Sequence, residues 1–113
     1  MHDVNPECQS HEHTATTSTV DAVICKRAAS IFSALGDANR LRILVLLAEN
    51  ELCVSQIATA VNDNLPAVSQ RLKLLRGERV VQSRREGKHI YYRLADQHIA
   101  DLVSNGFAHA MEH

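Results

Sequence analysis

Tryptophan is absent from the sequence, and only four residues are Phe or Tyr. No apolar run reaches transmembrane length, and the first twenty residues are polar where a secretory signal would carry its apolar stretch. These absences lead to the expectation of a soluble, cytoplasmic protein. Cysteine is scarce: Cys8, Cys25 and Cys53 are an odd number without the spacing of a disulfide framework. They are expected as thiols, buried or metal-binding, with Cys25 placed in the core by its apolar neighbours. Internal repeats are lacking, and so is any nucleophile–base constellation, so an enzyme is not expected. What remains is a chain of 113 residues, room for one domain with a modest core.

The net charge of −1 conceals a segregation. Residues 65–93 carry eight basic side chains (Arg71, Lys73, Arg76, Arg79, Arg84, Arg85, Lys88, Arg93) against Glu78 and Glu86, a local charge of +6 within an otherwise acidic chain. A solvated charged hairpin would account for that; so would a nucleic-acid surface.

Residues 1–19, "MHDVNPECQSHEHTATTST", have no apolar periodicity and are expected as a flexible arm. Ser18 and Asp21 are spaced as a capping box, opening a helix whose apolar face is Val20, Val23, Ile24, Ala28, Ile31, Phe32 and Leu35, with Gly36 as its stop. Asp37 caps "ANRLRILVLLAEN", apolar on most of its circumference and therefore expected at the centre. A short helix follows in "VSQIATAV", with Val54, Ile57, Ala58 and Val61 on one face. After the polar "NDN", the segment "LPAVSQRLKLLRG" reads as a helix capped by Asn64, with Pro66 in its first turn and Gly77 at its end. Two short helices with a tight polar connection read as helix-turn-helix. The β-branched runs "RVVQSRR" and "HIYYRLA" form a hairpin through Glu86-Gly87-Lys88, and a last helix is capped by Asp96. The order ααααββα over residues 20–113 is a winged helix-turn-helix, mainly α with a β-hairpin wing.

On the helix from Leu65 to Arg76, the apolar Leu65, Val68, Leu72 and Leu75 gather on the side expected to seat it. Gln70 points the opposite way, with Lys73 beside it, Ser69 at the flank and Arg71 nearer the margin. Gln can bond adenine bidentately and Lys can meet guanine or phosphate, so this face suits a major groove. The wing basics Arg84, Arg85 and Lys88 suit phosphate or minor-groove contact. The bland reading is a set of merely exposed polar positions; helix-turn-helix, hairpin and charge segregation together favour double-stranded DNA as partner.

The last nineteen residues, "ADQHIADLVSNGFAHAMEH", hold Asp96, His98, His109 and Glu112. These side-chain types bind borderline divalent cations. On a helix, His98, His109 and Glu112 project within about 60° of one another, yet about 16 Å of rise separates His98 from His109. One straight helix cannot bring both pairs to one ion. A second copy packed antiparallel can, giving two equivalent sites of two histidines and two carboxylates. Four N/O ligands in a closed set favour Zn2+, with Co2+ or Ni2+ as alternatives, and leave no position for a substrate. Asp101 and His113 are substitutes within reach. The bland reading makes Asp96 only a cap and His109 only an exposed histidine.

"FSALGDANRLRILVLL", "ELCVSQIA", "AVSQRLKLLR", "REGKHIYYRL" and the closing Asp-x-His…His-x-x-Glu, in that order, resemble the ArsR/SmtB family of metal-responsive bacterial repressors over roughly residues 20–113. The resemblance implies a homodimer that binds a palindromic operator beside metal efflux or sequestration genes and is released when metal binds. By motif it is nearest the zinc sensors that use the last helix. Two departures stand out: Ser69-Gln70-Arg71 replaces a frequent Ser-His-Gln, and Cys53-Val54-Ser55 replaces the Cys-Val-Cys of cadmium, lead and arsenic sensors. The family also implies a second site formed by Cys53 and the arm, here Cys8, His11 and His13, though Ser55 and Gln56 are poor substitutes for its missing ligand. Against that stands a buried Cys53 beside an arm that binds nothing. Two other functions compete: a thiol or soft-metal sensor (Cd2+ among its effectors) acting through Cys8 and Cys53, and a zinc-buffering interaction module that binds no DNA.

Overall fold

The computed structural model describes residues 20–112. The expected arm at 1–19, with Cys8, His11, His13 and Ser18, lies outside the described residues, as does His113. The chain divides after Ser30 into two compact units. In the first, Asp21 is itself the cap rather than the far member of a box: its carboxylate accepts the backbone N–H groups of Val23 (2.8 Å) and Ile24 (3.1 Å). Helix α1 (Ala22–Leu35) starts there and continues into the second unit. Val23, Ile24 and Phe32 are each more than half exposed, and Cys25, expected in the core, is exposed as well. Periodicity identifies an apolar face but not what will cover it.

In the second unit, Asp37 caps helix α2 (Ala38–Glu49) by accepting the Arg40 N–H at 3.0 Å. The Arg40 guanidinium turns back to donate to the carbonyls of Ala34 (2.8 Å) and Ser33 (3.1 Å), two of the groups that a helix end leaves without partners. As expected, α2 is central: Ile43 and Leu44 are wholly buried and Leu47 nearly so. Helix α3 (Val54–Val61) buries Ile57, Ala58 and Val61, and a left-handed Asn62 ends it. Helix α4 (Leu65–Gly77) begins at Asn64, whose side chain accepts the Ala67 N–H at 2.8 Å, and rests on Val68, Leu72 and Leu75. Leu65, assigned to that seat from the helical wheel, is 48% exposed. It occupies the first position of the helix and overhangs the core. Nor does Gly77 stop the helix through a special backbone conformation: the left-handed residue beyond the end is Arg79 (φ 61°).

The wing is strand β2 (Val81–Glu86) against strand β3 (His89–Leu94), paired from Val81↔Leu94 to Glu86↔His89. Only Gly87 and Lys88 lie in the loop. Gly87 has φ +63° at the first of the two positions, where a two-residue hairpin turn requires positive φ. A short strand β1 (Leu52–Cys53) adds to β3 in register Leu52↔Tyr92 and Cys53↔Tyr91, making a three-stranded sheet in the order β1-β3-β2. The expected order ααααββα is thus corrected by one strand, because two residues are too few to show an alternating pattern. Helix α5 (Gln97–Met111) packs Ile99 and Val103 into the core. The core is aliphatic throughout, running from α2 through α3 and α4 to Val80 and Val81 at the foot of the wing.

Candidate nucleic-acid interface and metal centre

Alternation along β2 decides which wing side chains share a side with α4. Val81, Ser83 and Arg85 lie on one face, and Gln82, Arg84 and Glu86 on the other. Arg76 of α4 donates to the Ser83 hydroxyl at 3.2 Å, so the Ser83 face is the one turned to α4. Arg85 therefore projects on the α4 side of the hairpin. Arg84 projects on the reverse side and is fully engaged there. It meets Glu51 through two hydrogen bonds (2.9 and 2.7 Å) and Glu86 through a third (2.7 Å), and its guanidinium lies 5.0 Å from the centre of the Tyr91 ring. These carboxylates push the Arg84 pKa still higher, and the guanidinium hydrogen bonds hold Glu51 below the usual carboxylate value.

On α4, Ser69, Gln70 and Lys73 are exposed, as are Arg85 and Lys88 on the wing. No hydrogen bond or ion pair among the described residues occupies these five side chains. Arg71 differs: it reaches back to Asp63 in the α3–α4 connection at 2.7 Å. That bond, joined by the Asn64 N–H, keeps the Asp63 carboxyl below its ordinary pKa. Arg71 thus braces the turn between the two helices. Reasoning from sequence missed Leu65 as a surface residue; exposed at the start of α4, it offers apolar contact of the kind a thymine methyl accepts. Its place at the helix end was the available signal.

Asp96 caps α5, accepting the Ile99 N–H at 3.0 Å, and His98 Nδ1 lies 3.6 Å from the same carboxylate oxygen. His98 is almost fully exposed and Asp96 about half exposed. His109 and Glu112 stand at the far end of the same unbroken helix, both exposed. The structure therefore brings Asp96 to His98 and keeps that pair away from His109 and Glu112. Within one chain, no group of three or more His, Cys, Asp or Glu among the described residues could share an ion. Asp101, the substitute ligand, accepts a hydrogen bond from Gln97 at 2.9 Å. Leu102 and Phe107, between the two ends, are exposed, and with Phe32, Leu35, Gly36, Leu41, Val103 and Gly106 they line an open apolar groove of about 300 Å³.

Cys53 is buried, 3.3 Å from the Ser55 hydroxyl, and its own N–H donates to the Gln56 side chain at 2.9 Å. Hydrogen bonds from Ser55 and the Gln56 backbone hold its thiol below the ordinary pKa. Cys8, His11 and His13, its expected partners, lie outside the described residues.

A helix-turn-helix with a basic hairpin folded beside its second helix is a winged helix-turn-helix, a fold found among DNA-binding proteins. Residues 37–83 match the family described as "Bacterial regulatory protein, arsR family". The chain is 44% identical over 84 residues to a transcriptional repressor SmtB homologue of Synechocystis, covering 74% of this chain and 64% of that protein. It is 38% identical over 85 residues to a cadmium resistance transcriptional regulatory protein CadC homologue of Staphylococcus aureus, covering 74% of this chain and 70% of the relative. Among solved structures, a homodimeric winged helix-turn-helix DNA-binding domain from Mycobacterium bovis superposes with a TM-score of 0.77 at 39% identity, over 81% of this chain and 85% of that one. The chain belongs to the arsR family of bacterial regulatory proteins, and it spans a little under two thirds of the length of the SmtB homologue it matches. No helix among the described residues is long and apolar enough to cross a membrane.

Proposed function

We propose that the protein is a cytoplasmic metal-responsive repressor. It binds a palindromic operator as a homodimer and releases it when Zn2+ or a similar divalent ion binds, controlling genes of metal efflux or sequestration. The observation that carries this reading is the layout of α5. Two ligand pairs, Asp96–His98 and His109–Glu112, sit at opposite ends of one unbroken helix with exposed Leu102 and Phe107 between them. Such a helix completes its ligand sets and covers its apolar residues in one step if a second copy packs antiparallel. Two imidazoles and two carboxylates suit zinc by donor type, with Co2+, Ni2+ and Cd2+ as competitors. The bound ion would supply a cross-link between the two copies of α5, and so bias the spacing of the paired α4 helices. For DNA contact the support falls on Ser69, Gln70 and Lys73 of α4 with Arg85 and Lys88 of the wing, all exposed and unengaged. Arg71 and Arg84, candidates by sequence, already hold partners within the fold.

One observation favours a second reading, a soft-metal site at Cys53: its sulfur stands at the N-cap of α3, 3.3 Å from the Ser55 hydroxyl, an arrangement that favours the thiolate. Its burial makes α5 the stronger candidate.

The test is operator affinity of the full-length protein, measured without metal and across a zinc, nickel and cadmium series. Zinc should weaken binding, and DNA should weaken zinc binding by the same factor, typically about 5- to 150-fold. Equal affinities with and without zinc would remove metal responsiveness from the proposal. An operator complex insensitive to salt would remove the DNA surface.

A further inference from the structure

An arginine clasped by two carboxylates lies on the reverse face of the wing. Glu51, Tyr91 and Arg84 come from the three successive strands of the sheet, or from the residue just before one. Cys53↔Tyr91 and Tyr91↔Arg84 are directly opposed pairs, so Cys53, Tyr91 and Arg84 form one cross-strand row. Glu51 is two residues before Cys53 and on the same face, and Arg84 reaches it diagonally across Tyr91. The row also marks a boundary. Beyond Tyr91, β3 has no β1 partner, and the hairpin continues to Gly87 as two strands alone. A two-stranded ribbon in water is at best marginally stable.

Global stability does not explain such a cluster. Arg84 is about half exposed and Glu51 about a quarter, and pairs this open contribute little. Nor does electrostatic attraction explain it: two acids set against a wing arginine reduce the pull on DNA. What a bidentate pair does supply is geometry, because the planar guanidinium fixes both carboxylate oxygens at once.

We infer that Arg84 is a positioning residue: clasped by Glu51 and Glu86 over the Tyr91 ring, it fixes the two-stranded tip of the wing so that Arg85 and Lys88 present toward DNA on the α4 side. This rests on the DNA surface proposed above and adds a role for residues that do not touch DNA. It makes an unusual demand: taking away a negative charge should weaken specific DNA binding.

The experiment uses full-length wild type, Glu51→Gln, Arg84→Lys, Arg85→Gln and the Glu51→Gln/Arg85→Gln double variant. The probes are a duplex selected by the wild type from a randomised pool and a scrambled duplex. Glu51→Gln should weaken binding to the selected duplex by about threefold or more, on the scale of coupling between contacting residues. Arg84→Lys should fail to restore binding although it keeps the charge, and Arg85→Gln should cost less in the Glu51→Gln background than alone. Amide exchange over residues 84–91 should quicken in Glu51→Gln. Tighter or unchanged binding by Glu51→Gln, or full binding by Arg84→Lys, would overturn the inference and make Arg84 a charge that Glu51 merely restrains. If the wild type selects no duplex, it is the DNA proposal that fails, and the exchange measurement alone decides whether the clasp orders the hairpin.

Discussion

Asp96 Oδ1 lies 3.6 Å from His98 Nδ1 and is the same atom that accepts the Ile99 N–H at 3.0 Å. One carboxylate oxygen starts the last helix, and the other is available to a metal ion. Cap and ligand are therefore separable by mutation. Asp96→Ser keeps a capping oxygen, so the metal-free protein should unfold close to the wild type while losing zinc affinity. Asp96→Ala should lose zinc affinity and also about 0.5–2 kcal/mol of stability. Denaturant unfolding without metal and zinc competition titrations check both. Native zinc affinity in Asp96→Ser would remove Asp96 from the ligands.

The cross-chain site predicts an outcome for mixed dimers. Pair one chain lacking Asp96 and His98 with another lacking His109 and Glu112. One junction then keeps all four ligands and the other keeps none. The mixed dimer should bind one zinc near-natively where the wild type binds two, counted by isothermal titration. A mixed dimer without a tight zinc would exclude ligands drawn from two chains.

For the second reading, Cys53→Ser should abolish the ultraviolet cadmium–thiolate absorbance of the full-length protein. Persistence of that band in the variant would place the thiolate elsewhere, at Cys8 or Cys25.

Two carboxylates set a pH dependence. Glu51 and Asp63 both have folded-state pKa values below their ordinary 4.5 and 3.8. Depressed folded values mean that their contribution to stability is present above those ordinary values and fades as pH falls through the folded ones. Arg84→Gln should move the Glu51 titration upward, and Arg71→Gln that of Asp63, in carboxyl-carbon NMR. The stability gap between wild type and either variant should narrow below about pH 4. A gap that stayed constant into acid would show that the ion pairs are not its source.

Two glycines should respond with opposite signs. Gly87 has φ +63° with open space around it, so Gly87→Ala meets no clash but a disfavoured backbone, costing about 1–2 kcal/mol. Gly77, the last residue of α4 and also unobstructed, has no positive φ. Gly77→Ala should raise stability by about 0.4–1 kcal/mol, because the unfolded chain loses more freedom than the helix does. Thermal unfolding of the two variants is sufficient; a destabilised Gly77→Ala would point to a contact that the single chain does not show.

The sequence alone determined the elements whose signal is local. The period of Ile43, Leu44 and Leu47, the caps Asp37, Asn64 and Asp96, and the β-branched runs around Gly87 each act within a few residues, where helix and turn chemistry is decided. The separation of the two ligand pairs on α5 was legible for the same reason, since helical rise is fixed by residue count. Only the tertiary structure decided what depends on distant partners. Strand β1 exists because β3, some forty residues later, offers it an edge. The adjacent arginines 84 and 85 read alike in a list of charges, yet pleating sends them to opposite faces, one onto Glu51 and Glu86 and one to the side of α4. Arg71, basic and on the second helix of the motif, belongs to Asp63 for a similar reason. A residue's type sets the chemistry it can perform; which partner claims it first is a question of proximity, and proximity across the chain is settled by the fold.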